Sequence, residues 1–229
     1  MKFHIRAITL LVKGFLSLFC KVDDRELAKV PKTGPFLVVV NHINFLEVPL
    51  LYTYLYPRSQ TSLVKIETWR NPFLGPIAKM WDAIPINRSI SDFSALKAAI
   101  AALRKGKFLI IAPEGTRSGD GKLRKGKQGV ALLAVQGDVP ILPLVHYGGE
   151  GVWSNLKRGR RTHFTFKVGP AFRIKLSKRE LTSPKRRAVT DEVMSVIAST
   201  LPQAYRGYYE DKIPSKYRYL DFGEPLESK

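Results

Sequence analysis

Two short runs constrain this chain more than anything else in it. FLVVV (36–40) and FLIIA (108–112) are apolar at every position, with no alternation of polar and apolar residues. Strands that face water on one side alternate, whereas strands covered on both faces do not. The runs therefore predict a sheet buried between helical layers. Helical patterns fall between the apolar runs, as an α/β order requires. Strands are expected at 36–41, 61–66, 83–87, 108–112, 140–147 and 162–168, and helices at 3–20, 45–56, 72–81, 91–104, 127–137 and 185–201. The helix at 91 should carry a serine cap and stop at Gly106. A length of 229 residues suits one such domain with small appendages. Residues 25–202 would form the α/β domain, and 203–229 a Tyr-rich tail laid over its surface.

The charge is lopsided. Lys and Arg number 38 against 19 acids, a net +19. Between Lys157 and Arg187 there are twelve Lys/Arg and one acid, Glu180, so this segment alone carries +11. Such a balance fits a polyanionic partner, either nucleic acid or an anionic membrane surface. Neither a recognised nucleic-acid module nor a basic-aromatic RNA signature is present, so nucleic acid is not expected. Cys20 is the lone cysteine, which leaves no disulfide framework and no Cys-based metal site.

The first 24 residues point to the membrane. At about 100° per residue, Leu18, Leu11, His4, Phe15, Ile8, Phe19, Val12, Ile5 and Leu16 share one arc. Thr9, Lys2, Lys13, Arg6 and Ser17 fill much of the opposite side, and no acid precedes Asp23. Lys13 interrupts the apolar stretch, so it reads neither as a signal peptide nor as a span. Residues 1–24 are expected as an amphipathic helix in the membrane interface, which places the protein on a membrane's cytoplasmic face, peripheral or monotopic. The other reading is a helix docked on the protein's own core, and one helix can do both.

VVVNHINFLEVPLL (38–51) carries the first candidate for chemistry. Five residues along an ideal helix turn by about 500°, so His42 and Glu47 cannot meet on one helix. Asn44 followed by Glu47 is a capping-box pattern, which starts the helix at Asn44 and leaves His42 in the strand-to-helix turn. Glu47 is then either a cap, or the acid that orients an imidazole at the carboxyl end of a strand. APEGTRSGDG (112–121) carries the second candidate. A buried strand enters a Gly-containing turn with Glu114, Thr116, Arg117 and Ser118, which is either an ordinary polar loop or a phosphate cradle. Lys65 and Arg88 stand at neighbouring strand ends, and three cations together suggest an anionic substrate. His4, His42, His146 and His163 show no ligand spacing, so no metal is expected, and His146 reads as a strand residue.

Four blocks in order carry a resemblance. They are Asn41-His42 with Glu47, then Lys65-x-Glu67 with Asn71-Pro72-Phe73-x-Gly75 and Ile86-Asn87-Arg88, then Pro113-Glu114-Gly115-Thr116-Arg117-Ser118, and finally Val139-Pro140-Ile141-Leu142-Pro143. With them the chain resembles the glycerophospholipid acyltransferase family, the relatives of 1-acyl-sn-glycerol-3-phosphate acyltransferase, with a variant H-x4-E first motif. Glu47 stands where the family usually has Asp, Asn44 where it usually has Ser, and Asn87 where it often has Asp.

The resemblance implies a mixed, mostly parallel sheet flanked by helices, with an N-terminal helical element at the membrane. It implies transfer of a fatty acyl group from acyl-CoA or acyl-carrier protein, as co-substrate rather than cofactor, to the hydroxyl of a lysophospholipid. Lysophosphatidic acid is the first choice; glycerol-3-phosphate or a lyso-glycolipid are alternatives, as is a non-catalytic lipid-binding relative. His42 would be the general base and Glu47 its orienting acid. Lys65, Arg88 and Arg117, with Gly115, Thr116 and Glu114, would hold the acceptor phosphate, Glu114 fixing the turn and pairing with one of the cations.

Overall fold

In the computed structural model, which describes residues 3–223, the apolar runs are strands, as predicted, and they lie side by side. Phe36–Val39 (β2) and Phe108–Ile111 (β5) pair in parallel at the centre of a seven-stranded sheet. On one side of β2 come Ile141–Tyr147 (β6), Thr162–Val168 (β7) and Cys20–Asp23 (β1). On the far side of β5 come Gln60–Lys65 (β3) and Ile84–Ile86 (β4). Every neighbouring pair is parallel except β6 with β7, so the sheet is mixed and mostly parallel, as the resemblance implies. Two short strands, Arg173–Ile174 (β8) and Leu220–Asp221 (β9), form a separate antiparallel pair.

Why the runs lack alternation is visible in their register. Leu37, Val39, Leu109 and Ile111 point to one face and meet the helices Phe93–Arg104 (α4), Gly129–Gly137 (α5) and Ser183–Thr200 (α7). Phe36, Val38, Val40, Phe108 and Ile110 point to the other, toward Phe3–Phe19 (α1) and Glu47–Tyr54 (α2). Each strand residue is thus removed from water, worth roughly 1.5–3 kcal/mol for a fully buried aliphatic side chain. The remaining helices are Leu74–Met80 (α3) and Val152–Lys157 (α6); α6 was not anticipated.

Three expectations need correction. The cap of α4 is Asp92, whose Oδ1 accepts the Ala95 N–H at 3.0 Å, not Ser91. Helix α2 begins at Glu47, later than Asn44, because Asn44 Oδ1 accepts the Leu46 N–H at 2.8 Å and closes a turn of its own. Residues 203–223 are more than a surface tail. Tyr209 is 1% exposed within the core, its hydroxyl donating to Asp191 at 2.9 Å and accepting from the Gly126 N–H at 3.1 Å. The rest of the expected tail, 224–229, lies outside the described residues.

Helix α1 packs on the core through part of its surface and leaves part of its apolar face exposed. Leu16 is buried, and Thr9, expected on the polar side, is also buried, where it accepts from the Trp81 indole at 3.4 Å. Lys13 lies 3.9 Å above the Tyr54 ring. Leu11, Phe15 and Leu18 are more than 60% exposed, at 72%, 62% and 65%. Among the described residues no helix is long and apolar enough to cross a membrane.

Candidate active site

Strands β2 to β6 run parallel, so their carboxyl ends open on one edge of the sheet, where α/β proteins place their sites. Asn41 leaves β2 there. Its side-chain amide donates to the His146 carbonyl at 2.8 Å and accepts the His146 N–H at 2.9 Å, extending the β2–β6 ladder by side-chain bonds. His42 follows in the turn, outside any helix. Its Nδ1 is 2.7 Å from Glu47 Oε2, which leaves Nε2 for the cleft that His42 lines.

Glu47 is 2% exposed and fully engaged. Oε1 accepts the backbone N–H groups of Ile43 and Asn44. Oε2 is 2.7 Å from His42 Nδ1 and 3.4 Å from His146 Nε2. The Asn44 N–H is half of the expected capping box; the reciprocal bond to the N–H of Glu47 is replaced by the Asn44 turn. Burial pushes the Glu47 carboxyl up, and the imidazoles, His146 ahead of His42, overcome this and hold it well below the ordinary carboxylate range. Glu47 therefore stays an anion beside His42, as an orienting acid must.

The turn after β5 is stitched to the His42 turn. Ser118 N–H donates to the His42 carbonyl at 2.7 Å and Gly119 N–H to Ile43 at 3.1 Å. Glu114 accepts the His42 N–H at 2.7 Å and the Arg124 N–H at 2.8 Å. It fixes the turn as expected, but it pairs with no cation among the described residues and lies 3% exposed beneath the cleft. Gly115 takes φ +70°, and a Cβ there would come within 2.8 Å of the Lys127 side chain.

Around this pair opens a cleft of about 660 Å³. Its polar side carries Lys65, Arg88, Gly115, Thr116 and Arg117, and also Lys127, which the motif reading missed. Lys65 is ion-paired to Glu67 at 3.2 Å on the rim. Arg88 donates to the Gly115 carbonyl at 2.9 Å. Burial, and after it the Arg117 charge, disfavours the charged Arg88 guanidinium. Two such cations facing one cleft are stabilised by an anion placed between them. Leu51, Leu63, Ile110, Ile111, Val130 and Leu133 also line it and make the rest of its surface largely apolar. Such a cleft can take a molecule with an anionic head and an aliphatic tail. No group of three or more His, Cys, Asp or Glu among the described residues is placed to hold a metal ion.

His146 is the other residue that went unrecognised. It sits in an apolar strand, and only the β2–β6 adjacency, with Asn41 105 residues away, brings it to Glu47. The sole hint was a polar residue on the same strand face as Leu144.

Comparison with known proteins bears on the family and the fold. A family model described as Acyltransferase matches residues 21–147. The chain is 28% identical over 201 residues to a chloroplastic 1-acyl-sn-glycerol-3-phosphate acyltransferase of Brassica napus, covering 86% of this chain and 58% of that protein. It is 26% identical over 149 residues to the 1-acyl-sn-glycerol-3-phosphate acyltransferase of Bacillus subtilis, covering 65% of this chain and 74% of that one. It thus spans little more than half the length of the plant relative. The crystal structure of the Thermotoga maritima 1-acyl-sn-glycerophosphate acyltransferase PlsC superposes with a TM-score of 0.61 at 24% identity, over 86% of this chain and 78% of that one, and shares the fold.

Proposed function

This chain belongs to the acyltransferase family, and on that premise we propose that it moves a fatty acyl group from acyl-CoA or acyl-carrier protein to the free hydroxyl of lysophosphatidic acid, giving phosphatidic acid. One observation carries the reading. His42, held by Glu47 at 2.7 Å, lines a cleft that carries both cationic and apolar groups. An acceptor whose phosphate lies against Arg88, Arg117, Lys65 and Lys127 has its hydroxyl within reach of the imidazole edge. His42 Nε2 takes the hydroxyl proton as the oxygen attacks the thioester carbonyl. The C–S bond then breaks, and the departing thiolate takes the proton from the imidazolium. Glu47 keeps the proton of His42 on Nδ1 and stabilises the imidazolium. The relatives' names, which state the same activity, support the acceptor.

The membrane is the proposed source of that acceptor, with the protein on its cytoplasmic face. The exposed face of α1 supports this, as do Trp153 and Leu156 on α6, 58% and 44% exposed, beside the basic run that starts at Lys157. The test supplies purified full-length protein with labelled acyl-CoA or acyl-carrier protein and, in parallel, lysophosphatidic acid, glycerol-3-phosphate and lyso-glycolipids. Phosphatidic acid should form, and His42→Ala should abolish it. A wild-type protein that acylates none of these acceptors would end this reading in favour of a lipid-binding role.

A further inference from the structure

His146 lies on β6 with no exposure to solvent, on the sheet face that packs against α1 and α2. Its Nε2 is 3.1 Å from the Asn41 carbonyl oxygen and 3.4 Å from Glu47 Oε2. Both neighbours are acceptors here, so the hydrogen of the ring sits on Nε2. Nδ1 has no hydrogen-bond partner among the described residues, and the ring packs against Phe164 and Phe166 at centroid distances of 6.4 and 6.2 Å. The His146 main chain is fixed by the two Asn41 side-chain bonds. A buried imidazole held this firmly, with its one N–H on the Asn41 carbonyl and 3.4 Å from the acid of the His42 pair, has a use beyond filling space. An apolar side chain would suit Phe164 and Phe166 equally well.

We propose that His146 is a positioning residue for the His42–Glu47 pair. Its Nε2–H, shared between the Asn41 carbonyl and Glu47 Oε2, gives that oxygen a second imidazole neighbour beside His42. The sharing has two effects. It keeps Oε2 in line with His42 Nδ1, where small displacements cost rate. It also draws off part of the carboxylate's hydrogen-bonding capacity, since an acceptor with one donor fewer binds the remaining one more strongly. Glu47 is long enough to reach this donor while its other oxygen stays on the Ile43 and Asn44 N–H groups. His146 and a glutamate at 47 thus belong together.

The proposal rests on His42 acting as the base, but its test does not. Glutamine at 146 sets an amide N–H near the place of Nε2, whereas asparagine stops near Nδ1 and cannot reach Glu47. The His42 ring titration is followed by NMR in the full-length wild type and in His146→Gln, His146→Asn and His146→Leu. The other charged groups around His42 are Glu47 on α2, Glu114 and Arg117 after β5, Lys65 and Arg88 at the ends of β3 and β4, and Lys127 before α5. All are common to the four proteins, so differences report position 146.

The Asn and Leu variants should raise the His42 midpoint by about half a pH unit or more, and Gln should restore it. Rates should follow, with kcat about tenfold lower in Asn and Leu, KM within twofold and Gln near wild type. The inference is overturned if His42 titrates alike in wild type, Gln and Asn proteins, a comparison that stands even if the Leu variant fails to fold. If the wild type transfers no acyl group, the functional reading fails and the His42 titration still decides this one.

Discussion

Glu114 accepts the backbone N–H of His42 at 2.7 Å across 72 residues of chain. With the Ser118 and Gly119 N–H groups on the His42 and Ile43 carbonyls, that bond joins the turn after β5 to the His42 turn. Burial pushes the Glu114 carboxyl up to about 7, against the two N–H groups that favour its anion. A carboxyl raised in the folded state binds its proton more tightly there than in the unfolded chain. Its ionisation therefore costs stability as pH rises from about 4.5 to about 7; the cost is complete above 7 and absent below 4.5. Glu47 has the opposite sign. Its contribution is present above 4.5 and is lost as pH falls below the ordinary carboxylate range. Glu114→Gln should remove a decline on the order of 3 kcal/mol across that window. Below pH 5 it should be the less stable protein, by about 1–3 kcal/mol for the lost acceptor. Urea unfolding of both proteins from pH 4.5 to 8 reads the slopes, and an unchanged slope in the variant would refute the assignment.

Glu47 stands where the resemblance leads one to expect aspartate. Its contacts divide between its two oxygens, the Ile43 and Asn44 N–H groups on Oε1 and the two imidazoles on Oε2. A side chain one methylene shorter cannot hold both. Glu47→Asp should lower kcat about tenfold with KM nearly unchanged. Glu47→Gln, which puts a neutral amide against His42 Nδ1, should lower it about a thousandfold. Steady-state rates with one acceptor decide the matter. An aspartate as fast as the glutamate would mean that the long arm serves no purpose.

The cleft cations differ in what they should do. Among the described residues the Arg117 guanidinium lines the cleft without a hydrogen-bond or ion-pair partner, whereas Arg88 also supports the Gly115 carbonyl at 2.9 Å. Arg117→Ala should raise KM for a phosphate-bearing acceptor by roughly 10- to 100-fold and leave kcat within about threefold, the loss of one charge-assisted contact. Arg88→Ala should reduce both parameters, because the loop loses a support as the substrate loses a charge. Acceptors without phosphate should distinguish Arg117→Ala from wild type poorly. Equal KM effects on both acceptor types would remove Arg117 from phosphate binding.

Much of this is legible in the sequence. The unbroken apolar runs foretold strands covered on both faces, and the spacing of five between His42 and Glu47 foretold a turn followed by a helix. Local signals sufficed for both. What escaped the reading depends on strand order. His146 reaches Glu47 only because β6 lies beside β2, and Lys127 enters the cleft only because its loop folds over Gly115. Tyr209 looked like surface because nothing near it in sequence reveals that Asp191 and Gly126 wait for its hydroxyl. The start of α2 was misplaced because Asn44 bonds within its own turn, a competition that residue type alone does not resolve.

Helix α1 offers a separation of two roles along one element. Leu16 is 5% exposed in the core that also holds Leu27, Val38 and Leu50, whereas Leu11 and Phe15 are 72% and 62% exposed. If the exposed face enters a bilayer interface, Leu11→Ser with Phe15→Ser should weaken binding to anionic vesicles at least tenfold, since each large apolar side chain withdrawn from water contributes about 1.5–3 kcal/mol when fully buried. The melting temperature should hardly move, because neither side chain packs inside. Leu16→Ala should do the reverse, costing about 2–5 kcal/mol of stability through the cavity it leaves and sparing vesicle affinity under conditions where the protein stays folded. Flotation and thermal unfolding of the same preparations separate the roles. Undiminished flotation of the double variant would leave α1 as a core helix alone.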